Sequence, residues 1–156
     1  MLTEGDKVPT DIAIENQKDE NISLSDYKGK FIVLYFYPKD DTPGCTKEAC
    51  SFRDFNEDIK NLGVEVIGVS KDSIDSHDKF IEKHKLNFTI LSDDKMELQK
   101  AFGVWQEKSM FGKKYMGTVR STFIINPEGS IIKVWPDVKV NGHVEEVFEY
   151  LKSIIS

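Results

Sequence analysis

Cysteine and histidine are scarce in this chain, and basic residues are outnumbered. Two cysteines and three histidines occur in 156 residues, and the cysteines are spaced Cys-x4-Cys with no histidine beside them. A structural metal site needs about four converging ligands, and this spacing offers two. No Cys-x-x-Cys is present, which excludes the motif of thioredoxin-type disulfide oxidoreductases. The formal charge is −6 and the pI near 5.1, against the concentrated Lys and Arg of nucleic-acid binders. No apolar run approaches the ~20 residues of a membrane helix, so no membrane partner is expected. The opening MLTEGDKVP has no apolar segment, so no signal peptide is expected. A cytoplasmic location follows. There, structural disulfides are rare and a cysteine pair points to redox or metal chemistry.

What is present fits one α/β domain over residues 1–156. Hydrophobic residues make up 39% and charged residues 31%, a balance that allows one sizeable core. Residues 11–15 alternate weakly, as an edge strand does, and residues 24–30 read as a turn. Apolar strands are expected at 31–37, 64–70 and 88–92. Helices are expected from Pro43 past Ile59, from an N-cap at Ser73 to about Lys85, around Met96 to Phe102, and from His143 to Ile155. Residues 118–126 and 130–135 flank Pro127-Glu128-Gly129, a hairpin turn signal. Gly103 to Gly117 shows no regular period and reads as a mobile loop. Strands alternating with helices, plus one hairpin, imply a mixed sheet flanked by helices in a thioredoxin-like architecture. Sites in such sheets lie beyond the carboxyl ends of the strands.

Both cysteines lie just past such an end, in the stretch KFIVLYFYPKDDTPGCTKEACSFRD. Pro43 suits the first position of a helix, which makes Thr42 the N-cap and Cys45 the third helical residue. There the sulfur meets unpaired backbone N–H groups and the positive end of the helix dipole, both of which favour a thiolate. Thr42 either caps the helix or also touches the sulfur or its substrate. Five helical residues turn by about 500° and rise roughly 7.5 Å, so Cys45 faces the body of the protein and Cys50 the polar side. A disulfide wants Cα atoms within about 7 Å and converging Cβ vectors. An intact helix therefore cannot join the two.

FYPKDDTPGCTKEACSFRD closely resembles the active-site segment of peroxiredoxins, of the bacterioferritin comigratory protein or peroxiredoxin Q branch. The pattern Pro-x-x-x-Thr-x-x-Cys is matched by Pro38, Thr42 and Cys45, and a distant strand arginine by Arg120 in VRSTFIINPEG. The resemblance runs from Gly5-Asp6-Lys7-Val8-Pro9 to the GHVEEVFEYLK segment. It implies a cofactor-free peroxidase acting on hydrogen peroxide and organic hydroperoxides. Cys45 would become a sulfenic acid, with Thr42 and Arg120 orienting the peroxide and Pro38 shielding the sulfur. Cys50 would resolve the sulfenic acid as an intramolecular disulfide after local unwinding. A thioredoxin or similar dithiol would recycle the enzyme, which this branch often runs as a monomer, with a weak homodimer as the other expectation.

Residue chemistry alone leaves some points open. Arg120, in an apolar strand, needs an anion: Cys45, or a carboxylate such as Asp40 or Asp41. Those two aspartates would oppose a thiolate and are expected to face solvent. His77, His84 and His143 read as solvated or capping residues. The non-enzymatic alternative is a peroxide sensor in which a Cys45–Cys50 disulfide remodels a surface without turnover.

Overall fold

The computed structural model describes residues 1–155. Its centre is β3 (Phe31–Phe36), a run of Phe-Ile-Val-Leu-Tyr-Phe that is apolar on both faces because both are covered. Val33, Tyr35 and the following Tyr37 pack on one face with Phe52, Ile59, Phe80, Val147 and Leu151. Ile32, Leu34 and Phe36 pack on the other with Val8, Leu24, Leu98 and Phe102. Each such side chain contributes about 1.5–3 kcal/mol when taken from water.

Seven strands form the main sheet in the order β2-β1-β5-β4-β3-β8-β9. They are β1 (Ile14–Asn16), β2 (Asn21–Ile22), β3, β4 (Val64–Ser70), β5 (Thr89–Ser92), β8 (Ser121–Ile125) and β9 (Ile131–Trp135). β3, β4 and β5 run parallel, while β8 pairs antiparallel with both β3 and β9. The helices are α1 (Pro43–Asn61), α2 (Ile74–His84), α3 (Glu97–Phe102) and α4 (His143–Ile154). The side chains of α1, α2 and α4 fill the Tyr35 face, and those of α3 the opposite face. The mixed, helix-flanked sheet read from the sequence is the one observed. No helix among the described residues is long and apolar enough to cross a membrane.

Local signals placed most boundaries. Ser73 accepts a hydrogen bond from the Ser76 N–H at 3.1 Å and caps α2 as expected. The Pro127–Gly129 turn joins β8 to β9. The stretch expected to be a mobile loop is instead ordered. β6 (Trp105–Met110) and β7 (Lys113–Thr118) form a two-stranded sheet of their own, closed by Phe111 and Gly112, both at positive φ. Full burial is confined to one end, where Gly117 and Thr118 sit, so no alternating apolar pattern announces it. The strand expected from 118 to 126 is correspondingly interrupted. Val119 and Arg120 carry the chain from the small sheet to the main one.

Candidate active site

The site is built where β3 hands the chain to α1. The last ladder bond runs from the Tyr37 N–H to the Val69 carbonyl. Pro38, half-buried, has no N–H to continue it. Asp41 adopts φ 58° and Thr42 returns to extended backbone at φ −92°, ψ 155°. Pro43 then opens the helix, which makes Cys45 its third residue. Gly44 leaves the room an arginine needs: a Cβ at this position would stand 3.2 Å from Arg120 Nη2.

Cys45 is 2% exposed and packs in the Tyr35 cluster. Arg120 donates from Nη2 to the Cys45 sulfur at 3.3 Å and from Nη1 to Glu48 Oε1 at 2.7 Å. A charged donor aimed at sulfur stabilises an anion there. Glu48 is fully buried, and its second carboxylate oxygen has no partner among the described residues. Burial raises the Glu48 carboxyl from 4.5 to about 7, although Arg120 pulls it down. Burial works against the Arg120 charge, but Glu48 and then Cys45 outweigh it and hold the guanidinium above the ordinary arginine range. Lys108, on β6, is held below the ordinary lysine range by burial and then by the Arg120 charge. The small sheet thus brings a further cation toward the sulfur.

Several expectations are corrected here. Of the partners expected for Arg120, the structure shows the Cys45 sulfur, joined by Glu48, and neither Asp40 nor Asp41. Arg120 lies in the junction before β8 rather than within a strand. Thr42 occupies the N-cap but makes no side-chain cap. Its hydroxyl turns back and donates to the Lys39 carbonyl at 2.9 Å, closing the preceding turn. Asp41 does reach solvent, where Lys83 and His84 pair with it. Asp40 does not: it is buried and accepts from Tyr37, Ser76 and His77. His77 is fully buried, and His143, whose Nε2 lies 2.8 Å from Thr122 Oγ1, is buried too. Burial lowers His143 from 6.5 to about 4. Glu48 and the buried partners of Asp40 escaped the sequence reading. A carboxylate one helical turn beyond Cys45, on its buried side, was the available signal for Glu48.

Cys50 is half-buried, and both cysteines are free thiols on one uninterrupted helix. The exposed Asp54, Glu57 and Asn61 follow on α1, while Phe52 and Ile59 turn inward. The helix keeps the two sulfurs apart, as its geometry requires.

A cysteine in the first turn of a helix, at the end of a thioredoxin-like central strand and under an arginine, defines a thiol-based redox enzyme. Comparison with known proteins makes this specific. Residues 5–134 match the AhpC/TSA family. The Peroxiredoxin Bcp of Bacillus subtilis (strain 168) is 54% identical over 150 residues, covering 96% of this chain and 95% of the relative. A structure of a Xylella fastidiosa PrxQ mutant superposes with a TM-score of 0.94 at 38% identity, covering 98% of this chain and 97% of that one. The Xanthomonas campestris bacterioferritin comigratory protein, described for its alkyl peroxide reduction activity, gives a TM-score of 0.89 at 37% identity. There the match covers 95% of this chain and 98% of the other. The chain belongs to the AhpC/TSA family and is a peroxiredoxin, a thiol-dependent peroxidase.

Proposed function

We propose that this chain, acting as one domain, reduces hydrogen peroxide and organic hydroperoxides through Cys45. The observation that carries this reading is the Arg120 guanidinium 3.3 Å from a buried sulfur in the first turn of α1. The Cys45 thiolate attacks one peroxide oxygen, the O–O bond breaks, and the other oxygen leaves as water or an alcohol after taking a proton. Arg120 and the free N–H groups of the first turn stabilise charge on the leaving oxygen. The Thr42 hydroxyl orients the peroxide, and Pro38 shields the sulfur. Cys45 is left as a sulfenic acid.

The Cys50 thiol then attacks the Cys45 sulfur. The S–S bond forms, the S–O bond breaks and water leaves. Because α1 is intact, its first turns unwind for this step. A thioredoxin-type dithiol reduces the disulfide by exchange and is itself oxidised. We place the enzyme in the cytoplasm as a monomer needing no metal or other cofactor.

The test is to mix fully reduced protein with one equivalent of hydrogen peroxide and follow free thiols and intact mass. Loss of both thiols faster than a small free thiol, with a mass decrease of about two hydrogens, supports the Cys45–Cys50 disulfide. Gain of one oxygen without a disulfide removes Cys50 from its role. Reaction no faster than the free thiol overturns the role of Cys45. Steady turnover on adding thioredoxin and its reductase tests the reductant.

A further inference from the structure

The loop that enters α1 is fastened to α2 by a buried carboxylate–imidazole contact between Asp40 and His77. Asp40 is five residues before Cys45. Its Oδ2 lies 2.6 Å from His77 Nδ1 and accepts from the Ser76 hydroxyl at 2.8 Å, and its Oδ1 accepts from the Tyr37 hydroxyl at 2.5 Å. His77 Nε2 lies 3.1 Å from the Leu91 carbonyl. Both ring nitrogens therefore face oxygen atoms. The Asp40 N–H donates to Asp72 Oδ2 at 2.7 Å, and Ser70 donates to the same oxygen at 2.8 Å. Every polar atom of the Asp40 carboxylate and the His77 ring is thus engaged. Next along the loop, Asp41 is held by Lys83 and His84 at the far end of α2, but in solvent.

These two attachments differ in strength by their surroundings. Exposed pairs such as Asp41–Lys83 contribute little and release easily. Hydrogen bonds to buried charged groups are stronger and costly to break one partner at a time. Forming a Cys45–Cys50 bond requires the first turn of α1 to unwind, and that turn hangs on this loop.

We propose that Asp40 and His77 are positioning residues for Cys45. By pinning the loop to α2, they set how much of the time Cys45 occupies the intact first turn beside Arg120. The kinetic part of this proposal rests on the cysteine chemistry given under Proposed function. The structural part does not.

Replacing His77 alone leaves the buried Asp40 carboxylate without its ring partner and destabilises the chain for an unrelated reason. The informative protein is therefore the double variant Asp40→Leu, His77→Leu, beside Asp40→Asn, which keeps one acceptor oxygen and replaces the other by an amide NH2. Two readouts are needed. One is amide exchange of the reduced protein, at Thr46, whose N–H donates to the Thr42 carbonyl at 2.8 Å, and at Leu34 as a control in β3. The other is rapid mixing with peroxide, which separates Cys45 oxidation from disulfide formation.

In the double variant Thr46 is expected to exchange about tenfold faster with Leu34 unchanged, and Cys45 oxidation to slow by about tenfold. Disulfide formation keeps its rate or gains. Asp40→Asn, which loses one of the two acceptors, falls between the parent and the double variant on each count. A folded double variant with Thr46 exchange and both rate constants unchanged overturns the proposal, as does equal acceleration at Thr46 and Leu34, the mark of a merely stabilising pair. If the parent reacts no faster than a free thiol, faster exchange confined to Thr46 still supports the clamp while the chemistry assigned to Cys45 fails.

Discussion

Glu48→Gln is expected to flatten one component of the pH dependence of stability. In the folded protein, burial raises the Glu48 carboxyl to about 7, from 4.5 in an open chain. Between those values the folded state holds a proton that the unfolded state has released. Stability from this group is thus complete below pH 4.5 and is lost as pH rises toward 7. At about 1.4 kcal/mol for each tenfold change in proton affinity, the loss is about 3 kcal/mol. His143 acts in the opposite sense. Burial holds it near 4 rather than 6.5, so its contribution is present above pH 6.5 and is lost as pH falls toward 4. The two windows overlap, and the parent's own profile understates each. The difference between parent and Glu48→Gln cancels His143 and isolates Glu48. Urea unfolding of both proteins from pH 5 to pH 8 measures it. Across that range the parent should lose about 2.5 kcal/mol relative to the variant, most of it below pH 7. A difference constant to within about 0.5 kcal/mol would refute the claim that burial outweighs Arg120 at this carboxylate.

Arg120→Met removes both the N–H aimed at sulfur and the cation facing Glu48, and should slow Cys45 oxidation by about a hundredfold in rapid-mixing assays. Arg120→Lys should recover only part of that, because one ammonium lacks the guanidinium fork that reaches Glu48 and the sulfur together. Gly44→Ala puts a methyl 3.2 Å from Arg120 Nη2. It should slow the same step by about tenfold with little change in melting temperature, by tilting the guanidinium off the sulfur. Phe111→Asn should stabilise the β6–β7 hairpin by about 0.5–1 kcal/mol in urea titration. Phe111 is 98% exposed at φ 52° beside Gly112 at φ 79°, so no packing is lost.

The elements with strong periodicity were readable in advance. β3 is apolar throughout because it is covered on both faces, and α1 announces itself by Thr42-Pro43 and by Ala49, Phe52 and Ile59. The β6–β7 pair was not readable, because its long exposed end carries Lys113, Lys114, Tyr115 and Met116 without alternation. Its pairing is fixed by the Phe111–Gly112 turn and by anchoring at Val104 and Thr118, not by an apolar face. Thr42 was correctly placed at the head of the helix, but the direction of its hydroxyl is decided by the Lys39 carbonyl, which no helical rule includes.

The same distinction separates the two halves of the site. Cys45, Pro43 and Thr42 are local: backbone rules for the start of a helix place them, whatever the rest of the chain does. Arg120, Glu48, Asp40 and His77 are brought together only by the sheet and its helices, and composition gives no sign that their charges are buried. A buried charge is tolerated where it is paired, so the identity of each partner follows from the fold. Of the three candidate partners in the sequence, Arg120 meets Cys45 and neither aspartate. Asp40 is occupied by His77, Asp41 reaches solvent, and Glu48 is carried to the arginine by the same helical turn that carries Cys45. The sulfur and the carboxylate therefore share one cation. Whatever protonates Glu48 leaves more of the Arg120 charge to the sulfur, and the pH at which this happens lies near 7. Cys45 oxidation in Glu48→Gln should accordingly respond less to pH between 6 and 8 than it does in the parent. Stopped-flow rates across that range decide it, and identical profiles would mean that Glu48 only supports Arg120 mechanically.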